Sequence, residues 1–311
     1  MKTEKIRKYS YFPGCAMDGT AAAYKMSVHE VAKVLDVELI ELEDWNCCGS
    51  TASASVNGVA SHSIVARNLA LASEKEWDLV TPCSSCYTVL KNVQANVQRY
   101  PDLKVRVEEV LRNGRAPYTF KPFLNIRHLL EVVMQDVGLE AIKAKVTRSL
   151  NGLKVAPYHG CQIVRPWFTF DDPEFPESLD RMVKALGGEA VEFPMRAACC
   201  GASLMLSAPD VGLDAVRRII DCAEKAQAEC IVTACPLCQT NLDAYQGRIN
   251  RRLGTKYNIP IFFFTQLLGF ALGIDPKALG IEKGIVPQET VLLKRWPLGD
   301  EALVRHLSVR S

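Results

Sequence analysis

Ten of the chain's 12 cysteines fall into two sets with almost the same spacing. The first is Cys15, Cys47, Cys48, Cys83 and Cys86, reading C-x31-CC-x34-C-x2-C. The second is Cys161, Cys199, Cys200, Cys235 and Cys238, reading C-x37-CC-x34-C-x2-C. Each adjacent pair is followed by glycine, as Cys47-Cys48-Gly49 and Cys199-Cys200-Gly201. Chance does not give a five-point pattern twice. The economical reading is a duplicated thiolate cage, and a cage of five soft ligands is built to hold iron and sulfide.

The rest of the composition narrows the setting. A chain of 311 residues has a prior of about two domains. With 48% apolar and 23% charged residues it has enough material for buried cores. Its 37 basic side chains nearly balance 35 acidic ones, which argues against nucleic acid or an anionic membrane as partner. No apolar stretch of signal-peptide length follows the basic N-terminus, so a cytoplasmic location is expected. Without export, cysteines in this number point to metal rather than to disulfides. The most apolar stretch, 259–274, is shorter than a membrane span and is expected to form a buried strand and a helix.

The repeat extends beyond the cysteines. From the adjacent pair to the Cys-x-x-Cys the halves are offset by 152 residues, whereas Cys15 and Cys161 are offset by 146. The six extra residues are assigned to Asp171-Asp172-Pro173-Glu174-Phe175-Pro176. Farther on, Pro122 to Leu130 aligns with Pro260 to Leu268 at an offset of 138. That implies 14 extra residues in the first half, placed in Pro101 to Arg115. Each half alternates strand and helix, with Ala190 to Phe193 read as a strand of the second half, the pattern of a small, mostly parallel sheet flanked by helices. The expected fold is α/β, with two pseudo-symmetric domains at 1–150 and 151–286 and a C-terminal tail at 287–311. In such sheets ligands bind at the carboxyl ends of strands, which would let cysteines far apart in sequence converge.

Five thiolates are one more than a cubane [4Fe–4S] cluster or structural zinc needs. Neighbours such as Cys47 and Cys48 point apart and can serve different irons of one cluster. Glycine after each pair permits positive φ or close backbone approach. Helix starts are expected after Cys48, Cys86, Cys200 and Cys238, where their positive ends would offset thiolate charge. Zinc on four of the five cysteines stays open in place of one cluster. Cys222 and Cys230 have no counterparts in the first half and are read as small apolar residues.

The doubled Cys-Cys-Gly pattern resembles the CCG, or cysteine-rich, domain family. From Tyr11 to about Val286 the chain is similar to the B subunit of heterodisulfide reductases. The resemblance implies a non-cubane [4Fe–4S] cluster in each half, ligated by that half's five cysteines, with the two clusters facing each other across a cavity. It also implies cleavage of a disulfide between two thiol coenzymes, each cluster taking one sulfur. Splitting a disulfide takes two electrons, and paired clusters that pass one electron each meet that demand.

No C-x2-C-x2-C-x3-C-P run and no G-x-G-x-x-G after a strand is present. Electrons are therefore expected from a partner that carries cubane [4Fe–4S] clusters, with a flavoprotein behind it. Three residues beside the ligands, His159, Arg165 and Arg196, are candidates to contact sulfur or an anionic substrate; His128 is read as a structural residue of a buried helix. The tail sets Trp296, Pro297, Leu303, Val304 and Leu307 among basic residues, a composition suited to packing on a partner. Two functions compete ahead of a third, a purely structural zinc protein. One is a catalytic subunit acting on a thiol, disulfide or sulfur-carrier substrate. The other is an electron-transfer subunit of a dehydrogenase or quinone-linked complex. Complete cysteine sets in both halves favour the first.

Overall fold

The computed structural model describes residues 6–50, 53–114, 124–167, 170–293 and 295. Eight short strands build two four-stranded sheets, and every pairing is parallel. The first sheet contains β1 (Arg7–Tyr11), β2 (Val37–Glu41), β3 (Leu79–Thr81) and β4 (Ile126–His128), in the order β2-β1-β3-β4. The second contains β5 (Lys154–Tyr158), β6 (Glu189–Ala190), β7 (Cys230–Thr233) and β8 (Ile261–Phe263), in the order β6-β5-β7-β8. The two orders are the same under the duplication. The inner strands β3 and β7 are buried throughout, as strands covered on both faces must be.

Helices return the chain between strands, and local chemistry starts them. Asn57 caps helix Gly58–Ala72 by accepting from the Ala60 N–H at 3.0 Å. Proline opens helices Pro101–Arg112, Pro209–Lys225 and Pro236–Ala244, where its missing N–H costs nothing. The segment assigned as the first half's extra residues contains a helix, Pro101–Arg112, that the sequence reading did not assign. The apolar stretch 259–274 forms β8 and helix Phe264–Ala271. The second half's extra residues lie in an irregular stretch before helix Ser178–Ala185.

Three details correct the sequence reading. The strand expected from Ala190 to Phe193 is only Glu189–Ala190, because the chain turns at 194–197. Helices begin after Cys83 and Cys235, so Cys86 and Cys238 lie inside the first turn instead of preceding it. The third concerns the repeat. Thr81 pairs with His128 and Thr233 with Phe263, so His128 matches Phe263 at an offset of 135. The alignment at 138 followed a shared proline, whereas strand register makes the insertion three residues longer. His128 is accordingly the last residue of β4 and the cap of the short helix Leu129–Val132.

The halves share a core. Helix Ala22–Val34 of the first packs on helix Phe264–Ala271 of the second, and helix Leu139–Lys145 packs reciprocally on Ser178–Ala185. One apolar cluster runs from Tyr9 and Val28 through Leu130 and Val155 to Phe264 and Leu272. Ser27 and Thr265 join their hydroxyls at 2.6 Å within it.

Charge is buried at one edge. The Arg127 guanidinium meets Glu131 at 2.9 Å and Asp136 at 2.6 Å, and Asp136 also accepts from the Tyr9 hydroxyl. Alanine at Arg127 would strand both carboxylates and should lower stability by about 3 kcal/mol. A urea titration reads this directly; a loss under about 1 kcal/mol would show that the network is dispensable.

Candidate functional site

Each sheet switches direction between its first and third strands in sequence, and ligands of such sheets bind outside that point. Cys15 follows β1 and Cys83 follows β3, while Cys47-Cys48 lies beyond β2. The second half repeats this with Cys161 after β5, Cys235 after β7 and Cys199-Cys200 beyond β6. The fold thereby gathers each set at one sheet edge.

Within the first set, Cys15 and Cys47 bring their sulfurs to 3.4 Å, and Cys48 and Cys86 to 3.3 Å. In the adjacent pair Cys47 is exposed and Cys48 buried, but the two thiols stay close enough to hydrogen-bond, so they do not point apart as expected. In the second set Cys200 and Cys238 lie 3.6 Å apart. Cys161 and Cys199 are near enough that hydrogen bonding between them pushes the Cys161 thiol up and pulls Cys199 down to about 6. Hydrogen bonds from Cys47 and Cys86 likewise pull Cys48 down against the effect of burial. Each of these pairs can therefore share a proton between its two sulfurs.

The backbone adds to this. Gly49 and Gly201 have φ of +67° and +69°, and their N–H groups donate to the sulfurs of Cys47 and Cys199 at 3.4 and 3.3 Å. Cys83 and Cys235 cap helices Ser84–Arg99 and Pro236–Ala244, whose positive ends face the sulfurs. The donor set, the paired sulfurs and the N–H groups aimed at them suit iron and sulfide, although among the described residues no three cysteine, histidine or carboxylate side chains stand together as ligands of one metal ion.

The two sets meet. The Cys83 and Cys235 thiols oppose each other across the junction of the halves, close enough for each to change the other's proton affinity. Beside them a cleft is lined by Cys161, Cys199, Cys200, Cys235 and Cys238 of the second half, and by Ser84 and Ser85 of the first. The Cys161 turn is tied to the first half there: Ser85 bonds the Gln162 side chain, and Thr88 donates to the Gln162 carbonyl at 2.7 Å.

The three candidate residues beside the ligands differ in what they touch. His159 is fully buried, and burial pushes it down to about 3, so its ring is neutral. Its Nε2 accepts from the Leu179 N–H at 3.2 Å. Arg196 donates to the Pro176 carbonyl at 3.1 Å and to Asp180 at 3.2 Å. Both therefore hold the start of helix Ser178–Ala185 against the Cys161 and Cys199 turns. Arg165 donates to the Ala197 carbonyl, and its charge helps pull the Cys199 thiol down. Cys230 opens β7 fully buried, and Cys222 lies half-buried in helix Pro209–Lys225, both outside the gathered sets. Of the tail, Glu289–Leu293 is helical and Arg295 pairs with Glu229; Trp296, Pro297, Leu303, Val304 and Leu307 lie outside the described residues.

The CCG cysteine-rich domain pattern matches this chain twice, at residues 9–91 and 155–243. The chain belongs to the CCG cysteine-rich domain family. Relatives in this family resemble it along nearly its whole length. It is 35% identical over 282 residues to the 8-methylmenaquinol:fumarate reductase membrane anchor subunit of Wolinella succinogenes, covering 90% of this chain and 97% of that one. It is 30% identical over 298 residues to the B subunit of the ferredoxin:CoB-CoM heterodisulfide reductase of Methanosarcina mazei, covering 94% and 98%. It is also 30% identical to a protein of Archaeoglobus profundus described as like the heterodisulfide reductase B subunit, covering 92% and 97%. A crystal structure of a hypothetical protein from Helicobacter pylori shares the fold, with a TM-score of 0.70 at 13% identity; the match covers 91% of this CCG chain and 52% of that one. Although one relative is named a membrane anchor subunit, no helix among the described residues here is long and apolar enough to cross a membrane.

Sequence reasoning missed two glycines, Gly14 and Gly160, each immediately before the first cysteine of its set. A Cβ on Gly14 would lie 2.9 Å from the Cys86 sulfur, and one on Gly160 would lie 3.1 Å from the Cys238 sulfur. The signal was present, since Gly-Cys is itself duplicated. The opposition of Cys83 and Cys235 had no such signal, because it depends on how the halves pack.

Proposed function

We propose that this chain is the iron–sulfur catalytic subunit of a heterodisulfide reductase-like complex, holding two non-cubane [4Fe–4S] clusters. The ligands would be Cys15, Cys47, Cys48, Cys83 and Cys86 at one centre and Cys161, Cys199, Cys200, Cys235 and Cys238 at the other. The observation that carries this is the meeting of two complete thiol sets at Cys83 and Cys235, beside a cleft that both halves line. Bound clusters supply one-electron steps and iron that can accept a thiolate. Reduction of R–S–S–R′ consumes two electrons and two protons and releases RSH and R′SH, so two centres flanking one bond suit it.

The chain's own residues set the geometry. In this reading His159 and Arg196 are positioning residues that fix the Cys161 and Cys199 turns through helix Ser178–Ala185. Arg165 supplies positive charge beside Cys199, where a product thiolate gains from it. Electrons would arrive from a partner with cubane clusters, itself fed by a flavoprotein. A second reading, an electron-transfer subunit of a quinone-linked complex, is favoured by the Wolinella succinogenes relative and its name. Assays of the assembled native complex separate them. Thiol formation from a mixed disulfide under a low-potential reductant supports the first reading. Menaquinol oxidation with no thiol release supports the second.

A further inference from the structure

We propose that Tyr24 and His128 form a buried clamp between the halves that holds the two Cys-x-x-Cys turns at a fixed mutual distance, making the two centres a coupled pair. This rests on the reading that each cysteine set holds a cluster.

The Tyr24 hydroxyl lies 3.1 Å from the Pro82 carbonyl and 3.4 Å from the Ala234 carbonyl. Those carbonyls belong to equivalent residues, each immediately before the cysteine that opens a Cys-x-x-Cys. Each is the first residue of the two-residue hinge between a strand that has ended and a helix not yet begun. The first helical acceptors are one residue later: Cys83, bonded by the Tyr87 N–H, and Cys235, bonded by the Gln239 N–H. Neither ladder nor helix fixes the hinge, so a side chain that bonds both carbonyls sets their separation.

His128 adds a second bolt. Its Nδ1 accepts from the Leu130 N–H at 3.1 Å, which places the proton on Nε2. The ring is near enough to the same two carbonyls to feel both, and its Nε2 lies 3.4 Å from the Ser84 hydroxyl. Tyr24 and His128 are both fully buried, and the Tyr24 ring stacks on Phe263 at 4.1 Å. Phe263 is the residue that β8 puts where β4 has His128. The clamp is therefore built asymmetrically on a symmetric frame. Helix Ala22–Val34 of the first half contributes a tyrosine, and the equivalent stretch of the second half contributes none.

The test uses the full chain, prepared anaerobically as wild type, Tyr24→Phe, His128→Phe and His128→Gln. Phenylalanine at 128 copies the other half, whereas glutamine keeps an N–H donor near Nε2. Iron content, and the magnetic splitting between the centres when both are paramagnetic, are read on each. The expected result is unchanged iron, loss of splitting in Tyr24→Phe and His128→Phe, and near-wild-type splitting in His128→Gln. Unchanged splitting in both phenylalanine variants, with iron retained, overturns the clamp. Should Tyr24→Phe fail to fold, the contrast between the two His128 variants decides.

A second readout needs no cluster. In metal-free chain under mild oxidation, peptide mapping follows the disulfide between Cys83 and Cys235. Its formation should slow about tenfold in Tyr24→Phe, the equivalent of one buried hydrogen bond. Equal rates also overturn the clamp. Absence of iron from the wild type would instead remove the cluster reading and the coupling with it, while the cross-linking rate still judges the clamp.

Discussion

Gly14→Ala should empty the first thiol set while leaving the second loaded, and Gly160→Ala should do the reverse. Gly14 has φ +79° and ψ +152°, a region that only glycine occupies readily. Placing a Cβ there costs about 1–3 kcal/mol in backbone strain alone. The same Cβ would intrude on the Cys86 sulfur, which the proposed function assigns to iron. Gly160, at φ +73°, presses on Cys238 in the same way. Because the halves share a core, both variants should still fold, with iron content reduced by about half if each set holds four irons. Full iron content in Gly14→Ala would mean that Cys86 is not a ligand or that its turn yields easily.

Cys48→Ser and Cys200→Ser should each bring thiol–disulfide turnover of the assembled complex to background. Single-electron reduction of the intact centre should survive in both. Under the proposed function the reason is stoichiometric, since one S–S bond needs two electrons and each centre would provide one. Near-normal turnover in either variant would remove the paired mechanism and favour the electron-transfer reading. Position within a set also matters. Cys200 pairs only with its own set, so its loss should leave the first centre's spectrum intact. Cys235 opposes Cys83, so Cys235→Ser should disturb both spectra. Cys222→Ser and Cys230→Ala should be silent in both, as neither residue belongs to a gathered set.

Much of this was legible in the sequence because the duplication states its own geometry. The cysteine spacing marked both candidate sites, and alternating strands and helices put these cysteines beyond strand ends. The second-half shift at Asp171 was readable too, and Asp171 caps helix Ser178–Ala185 through the N–H groups of Glu177 and Ser178. What failed did so for physical reasons. The shared prolines, Pro122 and Pro260, misled the alignment, since register is set by pairing such as Thr81 with His128. His159 and Arg196 stand out as neighbours of ligands in sequence; their hydrogen bonds run to a helix start, while His159 also lines the cleft beside the second set, a dual placement that sequence alone does not show. Tyr24 is 58 residues from one carbonyl it touches and 210 from the other. No local pattern announces such a contact.

The most direct test is the metal and sulfide content of anaerobically purified chain. Two four-iron clusters predict about eight irons per chain, with matching acid-labile sulfide and negligible zinc. Iron near four with one zinc would restrict the account to a single cluster. Stoichiometric zinc in both sets, with little iron, would contradict it outright.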